Sequence, residues 1–294
     1  MITEVAPAPE RPASAPARPG RRRRAWDEVP RRHIYLPLAV YLLFTLVPFY
    51  WIVLFALRPA GSTSLVPWPM TFDHFEKVWN ERAFGTYFQN SVLVGLATLV
   101  TTTLVALAGG YALARFDFRI KKAFMLALLC TQFVPGALLL VPLFEIFADL
   151  RMINSLGSVV LAETVFQLPL SMILIGGFIR NVPYSLEEAA WVDGCDRFTA
   201  FRIVVLPLLR PGLIAVGSFA FVHAWNHFLF ALMFLSDQGK QTIPVGLNTL
   251  MNADSVDLGA LAAGGIVAAV PVVIVFAFIQ KWLITGFSAG AVKG

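Results

Sequence analysis

Glu188-Ala189-Ala190-Trp191-Val192-Asp193-Gly194, followed twelve residues later by Leu206-Pro207, is a charged, helix-forming stretch set between two long apolar runs. It stands out because the rest of the chain is so apolar. The 294 residues are 57% hydrophobic and 14% charged, with a mean hydropathy of +0.71. A soluble domain carries about a quarter charged residues, so this composition is that of an integral membrane protein. A polar helix kept inside such a chain implies something outside the bilayer that grips it.

Working outward from that stretch, spanning the hydrocarbon takes about 20 apolar residues. Six runs meet this length, at 34–57, 88–114, 123–147, 155–179, 209–235 and 260–284. Eighteen of the 23 Lys and Arg fall in residues 1–32, 115–122, 180–210 and the C-terminal end, and five in the alternate connections. The positive-inside rule then places both termini and the Glu188 stretch in the cytoplasm. The segments 58–87 and 236–258 and a short turn near Asn154 fall outside. Residues 1–32, rich in Pro, Ala and Arg, cannot build a core and read as a disordered basic cytoplasmic tail. The uncharged run from His33 to Leu57 exceeds the roughly 7–15 residues of a signal-peptide core, so it reads as a retained first span. The domain reading is therefore a tail at 1–32 and a six-span membrane domain at 33–294.

The excluded classes follow from missing motifs. No GxxxxGK[ST] or HExxH occurs, nor a GxGxxG after a strand, so neither a P-loop nor a zinc-protease helix is present. The net charge of +5 is spread over the ends of apolar runs and is no nucleic-acid footprint. Cys130 and Cys195 make no disulfide framework. His223 and His227 share a helix face, as metal ligands would, but no third or fourth ligand accompanies them, and no metal is expected.

Within 181–207, Ser185 and Glu188 have the spacing of a capping box. A helix from Leu186 to Val192 is expected, ended by Gly194 in a left-handed cap. Asp196 is placed to cap a second helix over 197–205, which Pro207 stops. From these residues alone, a helix lying on the lipid surface remains as open as a helix that docks a partner.

The pattern Glu188-Ala189-Ala190, three residues, Gly194, nine residues, Val204, one residue, Leu206-Pro207 resembles the EAA loop of ABC importer permeases, with Val204 where that loop normally has Ile. Pro183, Leu186 and Asp193 resemble the sugar-type branch. So do Asn90-Ser91, Ala112-Leu113-Ala114-Arg115-Phe116, Trp225-Asn226, Gly286, and Gly290-Ala291-Val292-Lys293-Gly294. The likeness covers nearly everything after residue 33 and is to the six-helix partner of a maltose-like pair. It implies an all-α polytopic membrane protein of the bacterial cytoplasmic membrane, working with a second homologous permease, two ATPase subunits and an extracytoplasmic solute-binding protein. Glu188, Ala189, Ala190, Asp193, Gly194, Leu206 and Pro207 would form the ATPase-coupling site. Glu188 and Asp193 would offer anionic contacts, and Ala189 and Ala190 would keep the helix face slim. ATP and Mg would be bound by the partner ATPase, the substrate would be a sugar, and no catalytic residue is implied in this chain.

An ionisable group inside a span marks a functional site by default, and Glu163 is the clearest. With Gln167, Gln132, Trp225, Asn226 and His227 it forms a set able to line a sugar path, or to satisfy itself between packed helices. Small residues along Ala106–Ala114 and Ala262–Ala269 fit close helix packing, within the chain or against a second subunit. A stand-alone secondary transporter is the alternative. It would need several buried acids and repeated halves, and neither is evident.

Overall fold

The computed structural model describes residues 31–81, 83–252 and 256–291. The basic tail through Pro30 and the last three residues, including Val292-Lys293-Gly294 of the C-terminal resemblance, lie outside them. Two compact units divide the chain, residues 1–49 and 50–294. The first contributes the start of α1 (Arg31–Leu57), which is helical through Pro37 and Pro48. Arg31 and Arg32, read as tail, are already helical.

The second unit holds the remaining helices, and no strand occurs among its described residues. A short helix α2 (Asp73–Glu76) and a π-helical turn precede α3 (Phe84–Arg115). Then come α4 (Lys121–Thr131), a 3₁₀ turn, and α5 (Leu140–Asp149). α6 (Leu156–Arg180) is followed by α7 (Ser185–Val192) and α8 (Arg197–Ala200), then a π-helical turn over Phe201–Val205. α9 (Leu206–Leu208), α10 (Arg210–Asn226), α11 (Leu229–Phe234), α12 (Ile243–Met251) and α13 (Leu258–Ala291) complete it.

Four helices are long and apolar enough to span a bilayer: α1, α3, α6 and α13. Two further runs are interrupted, so the expected six spans are reached where each bent pair counts as one. The run 123–147 bends by 95° between α4 and α5. Pro135 explains this, because it lacks an N–H and keeps the residue before it out of helical backbone. The run 209–235 breaks after Asn226, where His227 adopts an extended ψ of 122°. A 74° bend also separates α8–α9 from α10.

α3 and α6 form the spine of this unit, and their small residues set the distance. A Cβ on Gly110 would sit 2.9 Å from Ile175 Cγ2 and 3.1 Å from the Gly176 backbone nitrogen. Glycine at both positions lets the backbones approach where side chains would hold them apart. The second stripe acts less uniformly: Gly264 packs on Phe84 and Leu247, whereas Gly265 has no neighbour within 4 Å of such a Cβ. Trp225 ties α10 into this body. It is 2% exposed, stacks on Phe221, meets Phe88 edge-on and donates its indole N–H to Ala268 O at 3.0 Å.

At the Phe84 end of α3, polar side chains pin the connections. Asn90 donates to Gly239 O and Gln241 O at 3.0 and 2.9 Å, and Ser91 Oγ accepts from Ile243 N at 2.9 Å. Lys240 donates to Asn154 O at 2.9 Å. Asp257 accepts from Lys77 Nζ at 2.7 Å and from Ala260 N at 3.0 Å, which holds the start of α13 against α2 and its π turn. Its carboxyl is partly desolvated, which raises its pKa, yet the bonds from Lys77 and Ala260 and the nearby Lys77 and His74 charges outweigh this and hold it below the usual range.

Candidate functional site

The loop between α6 and α10 is built as two helical pieces around one glycine. α7 starts a residue earlier than a Ser185 cap allows. The N–H groups of Leu186, Glu187 and Glu188 are already taken by the carbonyls of Pro183 and Tyr184, so no capping box forms, which corrects that expectation. Gly194 does what its position demands. Its φ is +91°, and Cys195 N bonds Ala190 O at 2.9 Å while Gly194 N bonds Trp191 O at 3.0 Å. These two bonds are the Schellman ending of a helix. Asp196 caps α8 through Phe198 N at 3.1 Å. Pro207 does not stop the second piece. The chain stays helical to Leu208 and turns only at Leu209, because the π turn before Pro207 absorbs its missing N–H.

One face of α7 is locked to α3. Glu187, passed over in favour of Glu188 in the sequence, is 1% exposed. It accepts from Arg115 Nε at 2.6 Å and from Tyr111 Oη at 2.7 Å. Arg115 also donates to Val182 O at 3.0 Å and lies over the Tyr184 ring. A buried charge pair holds only when its remaining hydrogen-bonding capacity is met, and here Tyr111 and Val182 O supply the bonds while the Tyr184 ring covers the guanidinium. The signal was present in the sequence: Arg115 ends a long apolar helix and Glu187 precedes the EAA triplet, but nothing in spacing alone joins positions 72 apart.

The opposite face of α7 is open. Glu188, Ala189, Asp193 and Gly194 are exposed, while Ala190 turns inward onto its own chain. Val192 is 88% exposed, and Phe198 beside the turn is also exposed. On this face the acids Glu188 and Asp193 stand beside an exposed valine. Leu206 and Pro207 lie in the short helix behind the π turn.

The candidate path residues separate into two groups. Glu163 is 0% exposed. Its carboxyl accepts from His223 Nδ1 at 2.9 Å and lies 2.6 Å from His227 Nδ1. Trp225 is buried as described, and Asn226 bonds back to Val222 O at 2.9 Å. Gln132 and Gln167 donate across helices, to Phe166 O at 3.3 Å and Ala220 O at 3.4 Å. Both line a crevice together with His223, a residue not counted among the path candidates in the sequence. No group of three or more His, Cys, Asp or Glu side chains suited to a metal occurs among the described residues.

Residues 106–288 match the family of binding-protein-dependent transport system inner membrane components. The diacetylchitobiose uptake system permease protein DasC of Streptomyces coelicolor is 36% identical over 262 residues, covering 87% of this chain and 95% of the relative. The melibiose/raffinose/stachyose import permease protein MelC of Bacillus subtilis is 32% identical over 268 residues, covering 90% and 97%. A solved bacterial ABC transporter involved in the import of the acidic polysaccharide alginate shares the fold, with a TM-score of 0.75 at 19% identity over 88% of this chain and 98% of that one. The chain belongs to the binding-protein-dependent family of inner membrane transport components. The likeness read from the Glu188–Pro207 pattern leads to the same place.

Proposed function

We propose that this chain is a permease subunit of an ATP-driven carbohydrate importer. It forms the translocation path with a second, homologous permease, and it is driven through the α7–α9 loop by cytoplasmic ATPase subunits. The observation that carries this reading is the two-faced build of α7. One face is bolted to α3 through Glu187 and Arg115, and the other presents Glu188, Val192 and Asp193 outward. A helix held this way passes a push from a soluble partner into a spanning helix as rigid-body motion. A helix merely resting on lipid needs no buried ion pair to its own bundle. ATP and Mg belong to the partner, whose closure on ATP would drive the loop.

The sugar comes from the relatives, which are permeases for diacetylchitobiose and for melibiose, raffinose and stachyose. A solute-binding protein would dock outside on the segments 58–87 and 236–258, whose framework is held by the Asn90, Ser91 and Asp257 bonds. Both termini and the loop would lie in the cytoplasm, and the basic tail would sit against anionic lipid.

The test is uptake of labelled sugar by the assembled transporter carrying Gly194→Pro. Proline cannot take a φ of +91°, so the turn is lost. Uptake should vanish while the membrane subunits still assemble with each other. Normal uptake in this variant would remove the coupling role from the loop.

A further inference from the structure

Four polar side chains of the spans meet at one crevice. It lies between α6 and α10, has a volume of about 180 Å³, and is lined by Gln132, Gln167, Ser171 and His223 among apolar side chains. His223 is the informative member. Its side chain is 52% exposed, whereas the Glu163 carboxyl that it grips is fully buried. A carboxyl oxygen accepts the Nδ1 proton, which fixes the ring and its tautomer. Nε2 then remains for a ligand, and it has no protein partner among the described residues.

Two breaks in helical backbone flank the crevice, at 132–135 and at 227–228. Non-helical backbone at membrane depth is tolerated only where it is buried in protein or lines a water-filled cavity. Transporters place their substrate sites at such discontinuous helices. An imidazole and two amides turned toward lipid would also be costly. No Lys or Arg lines the crevice, so an anionic solute would find no counter-charge there, while neutral hydroxyls would find both donors and acceptors.

We propose that this crevice is a station on the translocation path that hydrogen-bonds a neutral sugar through His223, Gln132 and Gln167. Glu163 and His227 are positioning residues that hold the His223 ring. The proposal rests on the importer reading above and deepens it.

The test uses the whole transporter in proteoliposomes, with Cys130→Ser and Cys195→Ser as background and Ser171→Cys, on the crevice wall but not among the proposed sugar ligands, as the reporter. The probe is a membrane-impermeant cationic methanethiosulfonate. Uptake of labelled diacetylchitobiose and melibiose is measured alongside. The reporter should react, and whichever neutral sugar is transported should slow the reaction about tenfold when present at roughly ten times its dissociation constant. An acidic alginate trisaccharide should not slow it. If Ser171→Cys does not assemble, Leu174→Cys, also on the crevice wall, carries the same experiment, and His223→Gln should keep uptake that His223→Leu loses. No reaction in a transporter that still works would mean that the second permease or lipid seals the crevice. Reaction without protection by a transported sugar would mean an aqueous space that is no binding station. Either result overturns the proposal while leaving the importer reading intact. Wild-type protein that moves solute in liposomes without ATP would sink that reading and the proposal together.

Discussion

Arg115 and Glu187 stand 72 residues apart in the chain and 2.6 Å apart in the fold. Removing one partner leaves a buried charge without compensation, so Arg115→Ala or Glu187→Ala should each destabilise by about 3–5 kcal/mol, read as a lowered midpoint of thermal unfolding. Replacing both with apolar side chains of similar volume should recover much of that loss, because the pair's mutual attraction mainly offsets its own desolvation. If the single variants melt like the wild type, the pair does not anchor α7. Asp257 gives the pH counterpart. Its folded pKa lies below the unfolded value, so its contribution is present above about pH 3.9 and is lost as the pH falls through the folded value. Proteolytic nicking near 256–258 should therefore rise in acid, and Asp257→Asn should nick readily at neutral pH with little further change in acid. Single residues were the hardest scale to read in advance. Glu188 stood out in the sequence because it belongs to a pattern. Glu187 belongs to none, His223 stood out only as a helix-face pair with His227, and the partners of both come from other helices.

At the scale of elements, the loop was largely legible. Both helical pieces, the Gly194 turn and the Asp196 cap follow from local chemistry, which one sequence carries in full. The misses were interruptions and starts. Apolar runs announce length but not continuity, so the 95° bend at Pro135 and the break at His227 were hidden inside stretches that read as spans. Pro135 is the local signal of the first bend. The His227 break coincides with its contact to a carboxyl on α6, which no local signal carries. Packing between elements supports a further prediction. Gly110→Ala places a Cβ against Ile175 and the Gly176 backbone and should destabilise by about 1–3 kcal/mol. Gly265→Ala, which meets nothing within 4 Å, should leave the isolated subunit's stability unchanged. Thermal melts of the two variants should differ accordingly, and equal melts would mean that α3 and α6 are not in the close register described. At Gly194 the space around a Cβ is open, so the cost of Gly194→Ala is backbone strain alone, about 1–2 kcal/mol. Asn, which tolerates left-handed backbone, should retain more uptake there than Ala.

For the whole molecule, the apolar composition and the alternating charge of the connections made a polytopic helical protein legible before any coordinates. The match over residues 106–288 to binding-protein-dependent transport components gives that architecture its class. What one sequence cannot carry is the surface that only an assembly completes: the outward face of α7, the crevice at His223 and the open side of Gly265. The central claim is that this chain works only as part of an ATP-driven assembly, gripped through the α7–α9 loop. The most direct measurement is purification of the chain in mild detergent with everything it holds, followed by ATP hydrolysis with and without sugar-loaded binding protein. The account predicts recovery of a second polytopic protein and a P-loop ATPase, with hydrolysis raised by the loaded binding protein and lost with Gly194→Pro. Recovery of the chain alone, moving solute in liposomes without ATP, would contradict it and return the protein to the class of secondary transporters.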